Sequence, residues 1–433
     1  MRPAFSSTFA PKRRLAGRAA FPYMPRAMRL TGLFILAAAA ISQAADWPQW
    51  RGANLDGRST ETTFPTKWSR TENVLWRTEL PGEGHASVVV QKGRLFTVAA
   101  IAEKNERMLI CMDRTSGKIL WQQVVLTSPL ERIHKENSHA SSTPACDGER
   151  VFCTFLDGKE AVVAAYDFSG KQLWTKRPGQ FSSVHGFCST PILFKDKVIV
   201  NCDHDGDGYI VALARDDGRE LWRIDRAGKT RSYCAPLIQE TAGRAQMVLA
   251  GSKNFTGYNP DTGRELWNYA GPTEQFVASP VYSEKTAHFY LTAGFPTYHT
   301  LALPASATGT VQETQLAWHH KQKKGAAYVP SPIIEGDWLL LNDDLGFAHA
   351  FDAKTGDIVW NERFGRTHAS LVSAGGLVYF INDDGVCRIV KPAEKFAVVA
   401  TNELGEPVYA SPALSDGQIF IRSYKAVYCI GSR

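Results

Sequence analysis

Nowhere in the 433 residues do two cysteines stand side by side or two residues apart, although there are eight of them (Cys111, Cys146, Cys153, Cys188, Cys202, Cys234, Cys387 and Cys429). That spacing excludes the CxxC patterns of redox centres and zinc ribbons. No histidine pair has HxH or HExxH spacing, no GxSxG nucleophile turn occurs, and neither a phosphate loop with its lysine nor an HRD motif is present, so no common hydrolase or kinase signature applies. Most cysteines sit among apolar strand residues, as in VFCTF and AVYCI, where a thiol acts as a small hydrophobe. Cys146 with Cys153, or Cys188 with Cys202, are the pairs a hairpin would bring face to face.

Basic character is also missing from most of the chain. The net charge is +6, yet residues 1–44 hold seven of the Lys and Arg residues and no acid, which leaves the remainder near neutral and removes the case for a nucleic-acid partner. That leader reads as a secretory signal: arginines up to Arg29, an apolar run from Leu30 to Ile41, and small residues before a cut after Ala44 or Ala45. The run is too short to span a bilayer. A periplasmic or secreted protein with no transmembrane segment in its mature chain is expected. No cysteine stands near the cut to carry a lipid.

Helical periodicity is absent from residue 73 onward; the chain is a succession of short β runs broken by Gly, Asp, Asn and Pro. What recurs is a glycine turn followed by a strand ending in tryptophan: RTSGKILW, FSGKQLW, DDGRELW, DTGRELW and KTGDIVW. Counting such fourth strands gives Trp76, Trp121, Trp174, Trp222, Trp267, Trp318 and Trp360, with Ala400 in the tryptophan place of an eighth. Each repeat opens with a strand starting at a small residue, usually before proline, and continues through a tight polar turn to two further strands. Four strands per repeat with no helix to cover a sheet predicts an all-β, eight-bladed β-propeller of four-stranded antiparallel blades. The first tryptophan strand has no three strands before it and the last repeat has no fourth, so pairing of the N- and C-terminal strands closes the ring. Residues 1–44 are then the leader, 45–72 an aromatic cap segment, and 73–433 the propeller. The seven tryptophans read as structural fillers between sheets.

The pattern D-x-x-T/S-G-x-x-x-W, kept whole in DRTSGKILW and DAKTGDIVW, resembles the pyrroloquinoline-quinone (PQQ) repeat superfamily over about residues 74–433. DWPQWRG, NSHASSTP and HGFCSTP look like secreted PQQ-like propellers of environmental bacteria. The resemblance implies two better-understood arms, the quinoprotein dehydrogenases and the outer-membrane assembly scaffold BamB, and fold does not choose between them. The dehydrogenases resemble one another in a disulfide between adjacent cysteines over the quinone and in a calcium beside a catalytic aspartate. This sequence has no such cysteine pair and lacks the long insertions that cover those active sites.

Two constellations are candidates for chemistry. Asp203, Asp205 and Asp207 in CDHDGDGY reproduce the first half of a calcium loop, but Ala214 stands where the glutamate belongs, and a hairpin turn accounts for the same residues. The second precedes the inner strands. His85, Tyr233, His368 and Tyr409 stand two residues ahead of the small residue that opens a first strand, with His134, Asn137, His139, Ser183, His185 and Arg231 slightly upstream. If first strands line the axis, these side chains form one rim of the channel, suited to anionic or sugar-like ligands or to a partner's loop. His319-His320-Lys321 reads as a solvated loop. The expectation is therefore an exported propeller that binds a protein, glycan or small molecule on one face, with no catalytic residue or cofactor of its own. The alternatives are a PQQ- and calcium-dependent dehydrogenase of alcohols or sugars, and a BamB-like envelope-assembly scaffold, which the absent lipid-anchor cysteine disfavours.

Overall fold

The computed structural model describes residues 46–432; the leader and its cleavage site lie outside them. Eight sheets follow one another along the chain, and we number these blades 1 to 8: 89–127, 145–180, 192–226, 237–270, 281–320, 333–363, 372–403 and 413–430. Within each blade the four strands pair antiparallel in succession. Blade 8 takes its fourth strand from the other end of the chain, Val74–Glu79 lying against Ala426–Ile430. The eight-bladed ring and its closure are as the repeat predicts.

Burial follows the layering. Middle strands such as Arg150–Asp157 and Glu160–Asp167 are buried along their inner six residues, because each is covered on both faces by neighbouring blades. Outer strands alternate, as in Ile119–Thr127, with one face against the next blade and one in solvent.

The tryptophan and the glycine of the repeat meet across the blade boundary. The indole N–H of Trp76 donates to Arg114 O at 3.0 Å, Trp121 to Phe168 O at 3.0 Å, Trp174 to Arg215 O at 2.9 Å, Trp222 to Pro260 O at 3.2 Å and Trp318 to Ala353 O at 3.0 Å. Each acceptor lies in the glycine turn of the following blade. A Cβ on that turn's glycine would fall 2.5 Å from Trp76 at Gly117, 2.8 Å from Trp174 at Gly218 and 2.6 Å from Trp318 at Gly356. The glycine is thus required by the preceding blade's indole as well as by its own positive φ. Trp360 bonds Ala393 O at 3.0 Å and packs on Phe396 instead of a glycine.

Trp267 departs from this scheme. The chain after blade 5's third strand inserts residues 305–317, of which Gly309–Val311 runs parallel to blade 4's outer strand Glu265–Ala270 as a fifth strand. No glycine turn awaits the indole, which lies over its register partner Gly257 and bonds Gln246 Oε1 at 2.8 Å. The same insertion corrects the solvated-loop reading: His319 and His320 belong to blade 5's fourth strand, Trp318–His320, and His319 bonds Glu313 and His299.

At the axis the small residue before each first strand acquires a purpose. Backbone N–H groups donate to the hydroxyl of the next blade's counterpart: Ser87 to Thr143, Thr143 to Thr190, Ala235 to Ser279, Ser279 to Ser331, Ser331 to Ser370 and Ser370 to Ser411, at 2.9–3.3 Å. The chain of bonds lapses after Thr190, where Ala235 has no hydroxyl to offer. Short side chains are needed where eight strands converge, and the hydroxyl keeps buried backbone donors satisfied.

Residues 46–72 form a strap across the other end of the ring. Trp47 pairs with Val90, Cys146 N donates to Pro48 O at 2.7 Å, and Leu193 N to Gln49 Oε1 at 3.0 Å. Further on, Gln239 reaches Asn54 O at 3.3 Å, Arg51 donates to Pro332 O at 2.6 Å, Gly57 and Ser59 bond Ser373, and Glu61 accepts from Asp416 N at 2.8 Å. One segment thereby bonds seven of the eight blades.

All eight cysteines are free thiols. The blade 2 register opposes Cys146 to Val151, which puts Cys153 at a diagonal position, about 7–8 Å away in Cα terms and too far for a disulfide.

Candidate functional site

The eight linkers that carry the chain from one blade to the next all reach a cavity of about 570 Å³ at the mouth of the channel opposite the strap. Linkers 8–1, 3–4 and 7–8 supply His85, Tyr233 and Tyr409; linker 1–2 supplies His134, Glu136 and Asn137; linker 2–3 supplies His185 and Cys188. Val277, Tyr328 and Val329 come from linkers 4–5 and 5–6, and Arg366, Thr367 and His368 from linker 6–7. Below it a chamber of about 120 Å³ is ringed by the axial hydroxyls and bounded by Trp50 of the strap. Because Trp47 pairs with Val90, at the far end of the first strand that follows His85, the strap ends the well on that side.

The sequence-derived rim therefore converges at seven positions: His85, His134, Asn137, His185, Tyr233, His368 and Tyr409. His139 and Arg231 stand outside. His139 Nε2 contacts Glu131 O at 2.8 Å and braces linker 1–2, while Arg231 is clamped by both oxygens of Asp205 at 2.8 Å. The three candidate cation ligands separate onto three bases. Asp203, fully buried, pairs with Arg226 at 2.9 and 3.1 Å; Asp205 pairs with Arg231; Asp207 pairs with Lys229 at 3.0 Å. Among the described residues no group of three or more His, Cys, Asp or Glu is placed to hold a metal.

Rings hold one another in position around the mouth. His85 meets Tyr409 edge-on at 4.6 Å, Tyr409 meets His368 at 4.8 Å, His134 lies 5.1 Å from His185, and His185 is 5.8 Å from Tyr233. Edge-to-face contacts of this kind favour fixed orientations. Tyr233 is also hydrogen-bonded to Ser183, and Asn137 donates to His185 O at 2.6 Å, joining linker 1–2 to linker 2–3.

Several functional groups escape a reading by sequence spacing. Arg366 bonds Glu136 at 2.8 Å, an ion pair drawn from linkers 230 residues apart. Asp383, in the hairpin of blade 7, grips His368 Nδ1 with both oxygens at 2.9 and 3.0 Å. Asp344 lines the cavity from a blade 6 hairpin and accepts Tyr328 N–H at 3.0 Å. The ring is what joins Arg366 to Glu136, and the two aspartates reach their partners from hairpins 15 and 16 residues away, so no short motif marks any of them.

The well is lined by one guanidinium and two carboxyl groups. Arg366 holds the Glu136 carboxyl below the usual range, whereas burial raises that of Asp344. Burial first, then the Arg422 and His368 charges, push His85 down to about 3; burial and Arg231 lower His185. Both imidazoles are neutral at pH 7. Burial lifts the Cys188 thiol and the Tyr328 phenol to about 12, so Cys188 presents no thiolate.

A closed eight-bladed ring of tryptophan-docked sheets with a polar well at one mouth defines the class: a PQQ-like repeat propeller, of BamB-like and quinoprotein-dehydrogenase-like build. The chain belongs to the PQQ_2 family, described as "Outer membrane protein assembly factor BamB", which it matches over residues 66–133, 105–361 and 207–432. It is 22% identical over 299 residues to the outer membrane protein assembly factor BamB of Shewanella oneidensis, covering 65% of this chain and 72% of that protein. Among solved structures it is similar to BamB from Moraxella catarrhalis (TM-score 0.59, 13% identity, 83% of this chain and 97% of that one). It is also similar to the quinohemoprotein alcohol dehydrogenase from Comamonas testosteroni (TM-score 0.63, 13% identity, 90% and 81%). At such identities the structural likeness speaks for the fold.

Proposed function

We propose that the protein is an exported binding propeller that captures a polar, hydrogen-bonding ligand in the well at the His/Tyr mouth, either a small molecule or an exposed group of a larger partner. The observation that carries this reading is convergence: every one of the eight linkers contributes to one cavity, whose volume falls within the roughly 300–1,000 Å³ usual for small-molecule sites. With the strap and Trp50 at the other end, the mouth is the approach that the described residues leave open. Export is supported by the leader of arginines, apolar run and small residues, and places the protein in the periplasm or outside the cell.

Quinone redox chemistry fits the lining less well. PQQ is a tricarboxylate, and the lining's one guanidinium, already paired on one side with Glu136, can meet at most one of those carboxylates, while His85 and His185 are held neutral. A further carboxyl, Asp344, faces the same space. The aspartates nearest to a calcium loop each have a basic partner, and these three therefore do not form a cluster of free oxygen ligands for a hard cation.

The test is a calorimetric binding survey of the purified protein against neutral and acidic oligosaccharides, envelope-derived peptides, and PQQ with Ca²⁺, with dye reduction by alcohols and sugars in parallel. Saturable binding weakened about tenfold or more by Tyr409→Ala would support the well as the site. Stoichiometric retention of PQQ accompanied by dye turnover would overturn the reading in favour of a dehydrogenase.

A further inference from the structure

One wall of the well holds more than capture requires. Asp383 accepts from both the ring and the backbone N–H of His368, the latter at 2.9 Å, and its own N–H donates to Arg366 O at 2.9 Å. A carboxylate at Nδ1 fixes the proton there and leaves Nε2 as an acceptor. His368 lines the cavity beside Tyr409, ring centroids 4.8 Å apart; among the described residues nothing hydrogen-bonds the Tyr409 hydroxyl. Arg366, two residues before His368, engages Glu136 through Nη1 and faces Asp383 through Nε at 4.0 Å, which leaves Nη2 for a second carboxylate. Across the well, Val277 and Val329 offer an apolar surface of the kind a sugar ring's C–H face packs against.

We propose that this wall is an acid–base site that cleaves uronic-acid-containing glycans by β-elimination, a proposal that rests on the well being the ligand site. Arg366 holds the uronate carboxylate, which makes the neighbouring C5–H acidic. His368 Nε2 takes that proton, the C–H electron pair forms a C4=C5 double bond, the C4–O bond breaks, and the departing glycosidic oxygen takes the Tyr409 proton. The products are a 4,5-unsaturated uronide and a chain ending in a free hydroxyl. The proton on His368 then returns to Tyr409 through solvent, so neither water nor an oxidant is consumed. Base and acid stand side by side, so both reach the sugar from one face. That geometry favours gluco- and manno-configured uronides, whose C5–H and C4–O share a face, over galacto-configured ones, where they are opposed. Asp383 is a positioning residue for the base.

The purified full chain would be incubated with short oligosaccharides and with polymers of mannuronate, glucuronate and galacturonate, without added metal, following ultraviolet absorbance of the conjugated product and its mass. We expect unsaturated product from the gluco- and manno-configured substrates and little from polygalacturonate, with the oligosaccharide and polymer arms separating a free ligand from a polysaccharide surface. His368→Ala and Tyr409→Phe should each lower turnover at least about 100-fold, Tyr409→Phe with sugar affinity within a few-fold of the parent. Asp383→Asn should shift the acid limb of the pH–rate profile. Uronide binding without product would overturn the acid–base proposal and leave the binding reading standing. Failure of every probe to bind the well would overturn both. Turnover retained in a folded His368→Ala or Tyr409→Phe protein would place the chemistry elsewhere.

Discussion

His85 shows how a single position joins fold and site. Its ring lies under Tyr409 and Tyr424, with the buried Arg422 close enough to oppose its protonation. The unfolded chain would bind a proton near the ordinary value of about 6.5; the folded chain resists until about 3. Between those values the unfolded state holds more protons, so stability falls as pH drops through the window, by up to about 1.4 kcal/mol per pH unit for this one group. A urea-unfolding series from pH 7 to pH 4 should show that fall in the parent, and His85→Phe should make it shallower. His299, held down to about 4 by burial and the His319 charge, adds a similar slope that the variant leaves in place. A parent curve flat over the whole range would contradict the buried, neutral ring. His85 was legible in the sequence because it stands two residues before a first-strand serine. Asp383 and Arg366 were not, since one sits on a hairpin fifteen residues from its partner and the other bonds a carboxylate 230 residues away in the chain.

At the scale of elements, the repeated glycine and tryptophan are one device shared by two blades. The motif's spacing gave blade number and ring closure, but it tied each glycine to the tryptophan four residues later, whereas the glycine actually packs under the tryptophan of the blade before. Gly218, at φ +69°, would place a Cβ 2.8 Å from Trp174, while Gly243, at φ +74°, has open space around it. Alanine at Gly243 should therefore cost only the left-handed backbone penalty of about 1–2 kcal/mol. At Gly218, where a Cβ would also fall 2.6 Å from the flexible Lys176 side chain, the cost should exceed that, and the surplus should shrink in a Trp174→Ala background, since the rigid one of the two clash partners is gone. Trp174→Ala alone should cost about 3–5 kcal/mol. Chemical denaturation of the four proteins measures all of these; equal costs at the two glycines would sink the inter-blade account. The fifth strand of blade 4 escaped the sequence because Gly309–Val311 is three residues long and pairs with a strand forty residues earlier.

For the whole molecule, closure and strapping are distinct sources of cooperativity. Repeat arrays gain stability from nearest-neighbour interfaces, and an open array can fray from its ends. Here Val74–Glu79 joins blade 8 and the buried Arg422 donates across the seam to Ala86 O, Thr97 Oγ1 and Val98 O of blade 1 at 2.5–3.1 Å. The strap adds bonds to seven blades at once, so a blade cannot loosen alone without parting from it. The sequence marked this segment as an aromatic cap but held no sign of its reach, because its contacts are made largely by backbone groups whose partners depend on the finished ring. A variant lacking residues 46–61 keeps the Val74–Glu79 seam and the rim linkers while losing Trp47, Trp50 and Arg51. Calorimetry should find the parent unfolding in one transition and the variant unfolding at lower temperature over a broader range or in two steps. Because the His/Tyr mouth lies at the other end of the channel, ligand binding measured well below the variant's transition should survive the deletion. A variant that still unfolds in one sharp transition would assign the cooperativity to the seam alone, and a variant that loses binding while still folded would show that the well depends on its floor.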